Sequence, residues 1–213
     1  MSASVKRDYR SELRTAQAMA TRRSIIAAAT RLFVEDGYGA TTIDAVADAA
    51  GVSRKTVFTA VGGKLDLLKV ALDWAVAGDD QPVALADRTA MQQLMEQTDP
   101  AVLLNGLARS LVAIGERVGP LFAALEAAAR MDPGARDLVE ESHRLRLADA
   151  RKVVRRLRDL NALTAHITSR EAVDLVWLAM DPALFDRLVL VRGWTINRFG
   201  EWLGQSLCRQ LLR

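Results

Sequence analysis

The sequence predicts an all-α protein, and three observations lead to that prediction. Hydrophobic residues make up 50% of the 213 residues, whereas aromatic residues make up only 5%. Long alternations of β-branched and polar residues, which strands require, are scarce. Apolar side chains instead recur every three or four positions along most of the chain. We therefore expect a small N-terminal domain of three helices, followed by a C-terminal helical bundle.

The chain length allows one small domain joined to a larger one, and we place the boundary between residues 66 and 67. Cys208 is the only cysteine, so one chain offers neither a disulfide framework nor a cysteine-based metal site. The first ten residues lack the apolar core of a secretory signal, and no apolar run reaches the length of a membrane span. We therefore expect a soluble, cytoplasmic protein with no membrane partner.

Glycines divide the first 66 residues into three helical segments. Apolar positions recur at helical spacing over residues 15–36, and Gly37 ends that first helix. Thr41 or Thr42 caps the second helix, and Asp44 stands three residues after Thr41 as in a capping box. The pattern predicts three helices that pack into one compact unit.

The stretch AGVSRKTVFTAVGGK, residues 50–64, predicts a helix-turn-helix. Gly51 supplies the turn and Ser53 caps the next helix. Val57 faces the small core, which leaves Arg54 and Lys55 outside. Polar groups on the first turn of such a helix reach base edges and phosphates in a DNA groove. The combination favours DNA binding over an ordinary corner between two helices.

Charge is distributed unevenly along the chain. Residues 1–64 hold 10 Lys and Arg against 6 Asp and Glu, whereas the remainder holds 19 against 20. A local basic excess favours a polyanionic partner, because neutralising phosphates releases their counterions. A solvated basic tail is the alternative on charge alone. Beside a helix-turn-helix, the excess indicates double-stranded DNA as the partner.

Residues 21–71, TRRSIIAAATRLFVEDGYGATTIDAVADAAGVSRKTVFTAVGGKLDLLKVA, resemble the N-terminal domain of TetR/AcrR-family transcriptional regulators. The markers are the run A..LF...GY.ATT...VA..AGVS..T.F and Lys64 at the start of the fourth helix. Residues 174–207 are also similar to the closing helices of many members. The resemblance implies a homodimeric, all-α regulator. Its C-terminal domain binds a small molecule and thereby changes the spacing of two DNA-reading helices.

We expect Arg54 and Lys55 to read base edges, and Lys64 with the pair of threonines at 41 and 42 to hold the DNA backbone. Phe58 departs from the family, because many members carry a tyrosine there and phenylalanine cannot donate a hydrogen bond. The arginines of the N-terminal arm then matter more. The predicted DNA-binding residues are Arg22, Thr41, Thr42, Ser53, Arg54, Lys55, Thr56, Phe58, Thr59 and Lys64.

Beyond residue 73 the pattern is that of a helix bundle. Three Asp-Pro pairs, at 99–100, 132–133 and 181–182, each place a capping carboxylate before a proline that the first helical position tolerates. Thr168 with Glu171 predicts a fourth start by a capping box.

Two glycines of the closing helix, Gly200 and Gly204, indicate close contact with another helix. That helix belongs either to a second subunit, as the family resemblance implies, or to the same chain. A twofold dimer predicts a pseudo-palindromic operator. The predicted dimer residues are Val173, Val176, Met180, Phe199, Gly200, Leu203, Gly204 and Leu207.

Methionines and flat rings of the C-terminal domain are candidates for lining a pocket for a small, largely apolar effector. Plain core packing is the alternative for each. The candidates are Trp74, Met91, Met95, Phe122, Glu126, Met131 and Trp177. The basic run over residues 144–158 includes Arg146 and alternates with acidic and apolar positions, which favours a solvated helix face over a second nucleic-acid surface.

No catalytic motif is present in the sequence. It contains two histidines and one cysteine, and neither a glycine-rich phosphate loop nor metal-ligand spacing. We expect neither enzymatic activity nor a cofactor. The leading interpretation is a ligand-released, DNA-binding repressor. An activator, a regulator controlled by a protein partner and a ligand-binding protein with weakened DNA binding remain alternatives.

Overall fold

The computed structural model describes residues 2–81 and 88–213, with side chains from residue 13 onward in the first helix. The chain forms two compact units, Met1–Asp73 and Trp74–Arg213. The boundary expected at residues 66 and 67 lies inside one continuous helix, Lys64–Ala77.

The N-terminal unit is built around an apolar core to which its longer helices contribute. Its core contains Ile25, Ile26 and Phe33 from the first helix, together with Val46 and Val57. The helices are α1 (Ser2–Glu35), α2 (Gly37–Ala40), α3 (Ile43–Ala50), α4 (Arg54–Ala60) and the first part of α5 (Lys64–Ala77). Helix α1 therefore begins well before residue 15, where the apolar pattern placed its start, because no helix-breaking residue stands in residues 2–14.

The turn between α3 and α4 follows the predicted chemistry. Gly51 adopts the left-handed conformation (φ 67°) that ends α3, and an added Cβ there would meet nothing within 4 Å. This glycine is required for its backbone angle and not for space. The Oγ of Ser53 accepts a hydrogen bond from the amide of Thr56 at 3.1 Å and so caps α4.

The cap of α3 differs from the capping box expected at Thr41 and Asp44. Thr42 is the cap, and its Oγ1 accepts from the amide of Ala45 at 3.0 Å. Thr41 is 2% exposed, and its hydroxyl donates to the carbonyl of Gly37 at 2.8 Å. Burial therefore assigns the cap to the outer of the two threonines.

The C-terminal unit is a helix bundle. Its helices are α6 (Thr89–Met95), α7 (Pro100–Ala129), α8 (Pro133–Asp159), α9 (Ser169–Ala179), α10 (Pro182–Phe185) and α11 (Ile196–Leu211), and a π-helical turn over Asp186–Val191 follows α10. The core packs leucines and valines of α7, α8 and α11 around Phe185 and Phe199. In the described ranges, the only pairing of extended residues is an isolated bridge between Leu163 and Leu212.

All four predicted helix starts in this unit are confirmed. The carboxylates of Asp99, Asp132 and Asp181 each accept a hydrogen bond from the backbone amide two residues later, at 2.8–3.0 Å. Thr168 and Glu171 form the complete capping box. These local signals fix where the long helices begin.

Candidate functional site

Helix α4 presents its polar first turn outward while one residue anchors it. Val57 is completely buried, whereas Arg54, Lys55 and Phe58 are exposed. The cap at Ser53 fixes the direction of the first turn, and the hydroxyls of Ser53 and Thr56 also bond each other at 2.8 Å. The helix therefore offers a short outer face of cationic and hydroxyl groups, as groove recognition requires.

The guanidinium of Arg54 is held in place by two neighbours. Its Nη1 donates to the Oδ2 of Asp44 at 2.7 Å, and its carbon lies 5.6 Å from the centre of the Phe58 ring. The Arg54 and Asp44 side chains are 58% and 61% exposed, so water screens the pair and its contribution to stability is small. Phe58, which cannot bond a phosphate, thus contacts Arg54 on the same outer face.

Lys55 and Thr59 lie on the same exposed side of α4. The Thr59 hydroxyl donates to the carbonyl of Lys55 at 2.8 Å, one turn earlier. In the part of the chain that the structure describes, the Lys55 ammonium has no ion pair or hydrogen bond. Lys55 is the outward cation of α4 that needs to break no bond to reach an anion.

Three residues predicted to bind DNA make contacts within the unit, and for Arg22 and Lys64 the DNA-binding role stays a prediction. Thr41 is buried and its hydroxyl is occupied, which corrects its assignment as a phosphate ligand. Arg22 donates to the carbonyl of Ala60 and so joins α1 to the end of α4. Lys64 donates to the carbonyl of Gly39 at 3.2 Å and covers the Tyr38 ring at 4.3 Å.

Two of the predicted pocket residues come together in the C-terminal unit, and they do so around an arginine. The guanidinium carbon of Arg146 lies 5.5 Å from the centre of the Phe122 ring and 5.7 Å from that of Trp177. Its Nη1 contacts the Oδ1 of Asp181 at 3.1 Å and donates to the carbonyl of Met180 at 3.3 Å. The Arg146 side chain is only 13% exposed. Helices α7, α8 and α9 and the start of α10 thus converge on one largely buried cation.

The other predicted pocket residues are not part of this cluster. Met131 is 90% exposed, and Glu126 is exposed as well, so neither lines the interior of the unit. Glu126 lies on the outer face of α7 between buried Leu125 and Ala128, and Met131 lies beyond the end of that helix. Trp74, Met91 and Met95 are partly buried, and Met95 packs against the core.

The interpretation of residues 144–158 as a solvated face is correct for most of the run but wrong for two arginines. Arg144, Arg151, Arg155 and Arg158 are exposed. Arg146 is largely buried as described above, and Arg156 donates from Nη2 to the carbonyls of Glu96 and Gln97 at 3.1 and 2.9 Å. Arg146 stands four residues before buried Ala150 and therefore on the apolar stripe of α8, which is a sequence signal for its position. The position of Arg156 on the helix does not distinguish it in this way from exposed Arg158.

Most of the residues predicted for a dimer interface are buried within one chain. Val176, Phe199, Leu203 and Leu207 are at most 3% exposed. A Cβ on Gly204 would collide with the side chain of Asn105, and one on Gly200 would lie 3.2 Å from Val112. Both glycines therefore face α7 of the same chain, which was the alternative in the sequence analysis. Val173 and Met180, in contrast, are only partly buried.

Two classes of site are missing from the described ranges. Among residues 2–81 and 88–213, no three His, Cys, Asp or Glu side chains lie close enough together to hold a metal ion. Over the same residues, no helix is both long enough and apolar enough to pass through a membrane.

Comparison with known proteins agrees with this arrangement. Residues 25–71, which include α3, α4 and their turn, match the family model described as bacterial regulatory proteins, tetR family. No curated relative matches the chain in sequence.

Solved structures match over nearly the whole length. The structure of NalD, the secondary repressor of the MexAB-OprM multidrug efflux pump in Pseudomonas aeruginosa, is 22% identical with a TM-score of 0.65, covering 93% of this chain and 98% of NalD. The complex of SmeT with triclosan is 18% identical with a TM-score of 0.65, covering 91% and 92% of the two chains; SmeT is the repressor of the Stenotrophomonas maltophilia efflux pump SmeDEF. A transcriptional regulator from Saccharomonospora viridis in complex with choline is 18% identical with a TM-score of 0.69, covering 90% and 97%.

The match to the family model coincides with the helix-turn-helix derived from the residues, and the structural likeness extends through the C-terminal unit. The N-terminal domain is therefore that of the tetR family of bacterial regulatory proteins, and the chain as a whole has the fold of a TetR-family transcriptional regulator.

Proposed function

We propose that this protein is a ligand-responsive, sequence-specific DNA-binding repressor. The observation that carries the proposal is the outer face of α4, where Arg54 and Lys55 stand exposed on a helix anchored by buried Val57. That face lies inside the region that matches the tetR family model.

Arg54 is the residue that reads a base. An arginine placed on the first turn of a recognition helix binds the O6 and N7 atoms of guanine through two parallel hydrogen bonds. Asp44 and the Phe58 ring already hold the Arg54 side chain, which lowers the entropy lost on binding. Lys55 joins Arg54 in reading bases, and Thr42, the exposed cap of α3, takes the backbone role that buried Thr41 cannot fill.

Repression relieved by a small molecule follows from the related proteins. NalD and SmeT are repressors of efflux pumps, and SmeT is known in complex with triclosan. By analogy, an effector bound in the C-terminal unit shifts the population toward a form whose recognition helices no longer fit the operator. Reporter output after deletion of the gene rises for a repressor and falls for an activator.

A gel shift with the DNA upstream of the protein's own gene tests the function. We expect Arg54→Ala to weaken operator binding by about 1–3 kcal/mol and to relax specificity at one operator position. Arg151→Ala removes the same charge from an exposed site on α8 and serves as the matched control, with little expected effect. The logarithm of the binding constant of the unchanged protein should fall linearly with the logarithm of salt concentration.

Equal losses on operator and on random DNA in the Arg54→Ala variant would contradict base reading by Arg54. If the unchanged protein shows no salt-dependent binding to the upstream DNA, the alternative of a helical ligand-binding protein with weakened DNA binding takes precedence.

We also propose that two copies pair through the outward faces of α9 and α11. Four large apolar side chains between α9 and the start of α11 are at least 40% exposed: Leu178 on α9, Leu190 and Val191 in the π-helical turn, and Ile196 at the first residue of α11. Exposed large apolar side chains favour protein–protein contact. In this proposal the dimer interface uses exposed side chains and not the buried stripe of Phe199, Leu203 and Leu207 on α11.

The mass of the protein in solution, measured by light scattering, tests the pairing. Leu178→Asp should shift the mass from two chains toward one, because it places a charge in an apolar interface. Leu145→Asp is the matched control, since Leu145 is 55% exposed on α8 and Leu178 is 54% exposed on α9. A dimer that survives Leu178→Asp unchanged would place the interface elsewhere.

A further inference from the structure

Arg146 has one guanidinium edge in use and one edge buried without a partner. Nη1 meets Asp181 and the carbonyl of Met180. Nε and Nη2 are both buried, and neither has a hydrogen-bond partner among the described residues. A buried N–H of a charged group that lacks an acceptor is costly, so such a pair of donors calls for an explanation.

The two unused donors share a direction. In arginine, the Nε–H and Nη2–H bonds lie on the same edge of the planar group and point the same way. This edge is the fork with which arginine holds a carboxylate through two parallel hydrogen bonds. The rings of Phe122 and Trp177 lie close to the same guanidinium, and the indole N–H of Trp177 donates to the carbonyl of His143 at 3.2 Å, which holds that ring in place.

Apolar space begins next to the residues that Nη1 contacts. Met180 and Asp181 also line a small cavity of about 20 Å³, which is large enough for one water molecule. The remaining lining is largely apolar and includes Leu111, Ile114, Phe185 and Phe199. Arg146 does not line this cavity, so an apolar body attached to an anion at Nε and Nη2 would first contact the rings of Phe122 and Trp177.

We propose that the effector is a carboxylate on an apolar body, and that Arg146 binds the carboxylate through Nε and Nη2. The inference rests on the proposed ligand-responsive function and gives the effector a charge that the sequence did not indicate. Asp181 sits on the other edge of the guanidinium and opposes a second carboxylate by like-charge repulsion. The Arg146–Asp181 pair links this site to the cap of α10, so binding of a carboxylate to Arg146 acts on the start of that helix, and this coupling is the conformational response.

Calorimetric titration of the full chain with benzoate, at fixed ionic strength and without DNA, tests the site. Benzoate should bind saturably, whereas benzamide, which has the same shape and no charge, should bind at least about tenfold more weakly. Arg146→Lys retains the charge but loses the fork, and should weaken benzoate about tenfold or more. Arg155→Lys on the exposed side of α8 is the matched control and should leave the affinity unchanged.

Asp181→Asn provides an independent measurement if Arg146→Lys does not fold. Asparagine keeps the cap of α10, and removal of the repelling charge should tighten benzoate binding several-fold. A purely structural role for the Arg146–Asp181 pair predicts no such gain. Absence of benzoate binding, equal binding of benzamide, an unchanged affinity in Arg146→Lys or a weaker affinity in Asp181→Asn would each overturn the proposal.

The same samples separate this inference from the function on which it rests. Benzoate should release the unchanged protein from its upstream DNA in a gel shift. If benzoate binds through Arg146 and the protein binds no DNA, the carboxylate site stands and the repressor function fails. If DNA binds and benzoate does not, the repressor function stands and the carboxylate site fails.

Discussion

The two units of the chain place their functional arginines in opposite surroundings. The side chain of Arg54 in the N-terminal unit is 58% exposed and pairs with an exposed carboxylate. The side chain of Arg146 in the C-terminal unit is 13% exposed, and two of its nitrogens lack any partner in the described part of the chain. We propose that the solvated Arg54 binds DNA and that the largely desolvated Arg146 binds a small molecule.

This difference determines what a substitution can reveal. A solvated pair contributes at most about 1 kcal/mol to folding, so changes at Arg54 report on DNA affinity alone. A buried charge is coupled to the packing around it, so changes at Arg146 alter both stability and binding. The N-terminal unit keeps recognition separate from folding, and the C-terminal unit combines them.

The largest expected effect tests how tightly the C-terminal interior is packed. A Cβ on Gly115 would lie 2.7–3.0 Å from atoms of Phe185, whereas a Cβ on Gly119 would lie 3.5 Å from that ring. Both residues stand inside α7, where alanine is favoured over glycine by about 1 kcal/mol. Overpacking at Gly115 should place Gly115→Ala about 1–3 kcal/mol below Gly119→Ala in free energy of unfolding, measured by urea denaturation.

Gly119→Ala is the control in that comparison, and it should be as stable as the unchanged protein or slightly more so. Equal stabilities of the two variants would mean that the interior yields easily around Phe185. The interior of the C-terminal unit would then not differ in rigidity from the exposed face of α4 that is proposed to bind DNA.

Much of the N-terminal unit could be predicted from the sequence, because its signals are local. Gly51, Ser53 and Val57 each act within one turn of their own position, and the structure places all three as expected. The pair Thr41 and Thr42 shows the limit of such reasoning. Either hydroxyl satisfies the capping pattern, and only packing decides that Thr41 is buried and Thr42 caps the helix.

The C-terminal site could not be predicted in the same way. Its helix starts are local and were found, but the position of Arg146 depends on how α7, α8 and α9 meet. Residue type alone predicts that Phe122 and Trp177 line a pocket. The charge pattern of α8 assigns Arg146, which lies near both rings, to a solvated face. The stripe of Phe199, Leu203 and Leu207 was recognised as apolar, but periodicity does not tell a core from an interface.

A smaller effect is expected at Ser53, the cap of α4. Two substitutions there should change stability and DNA affinity independently. Ser53→Ala should lower the free energy of unfolding by about 1 kcal/mol, because the amide of Thr56 loses its acceptor. Ser53→Asp retains an acceptor and should leave stability nearly unchanged. Its carboxylate would repel DNA phosphates, so DNA affinity should fall, and the fall should be greatest at low salt.

Urea denaturation and the gel shift measure these two effects on the same proteins. If Ser53→Asp binds the upstream DNA as tightly as the unchanged protein, the first turn of α4 does not lie near a phosphate. In that case the DNA-contacting surface of the N-terminal unit lies elsewhere than on the first turn of α4.

The smallest expected effect concerns Glu171, a solvated carboxylate in the C-terminal unit. It tests whether a charged group contributes little to folding because it is exposed or because of the unit in which it lies. The backbone amide of Thr168, and then its hydroxyl, donate to Glu171 and lower the pKa of that carboxylate. A pKa that is lower in the folded state means that Glu171 stabilises the fold above the ordinary value of 4.5 and loses this contribution as the pH falls through the folded value. Near neutral pH, the melting temperature of the unchanged protein should therefore exceed that of Glu171→Gln by a small, constant amount. This difference in melting temperature should vanish in acid.

Glu201→Gln, which removes an exposed carboxylate on α11, is the matched control. A difference that persists in strong acid would mean that Glu171 acts through packing and not through its charge, and the C-terminal unit would then couple even its exposed groups to folding.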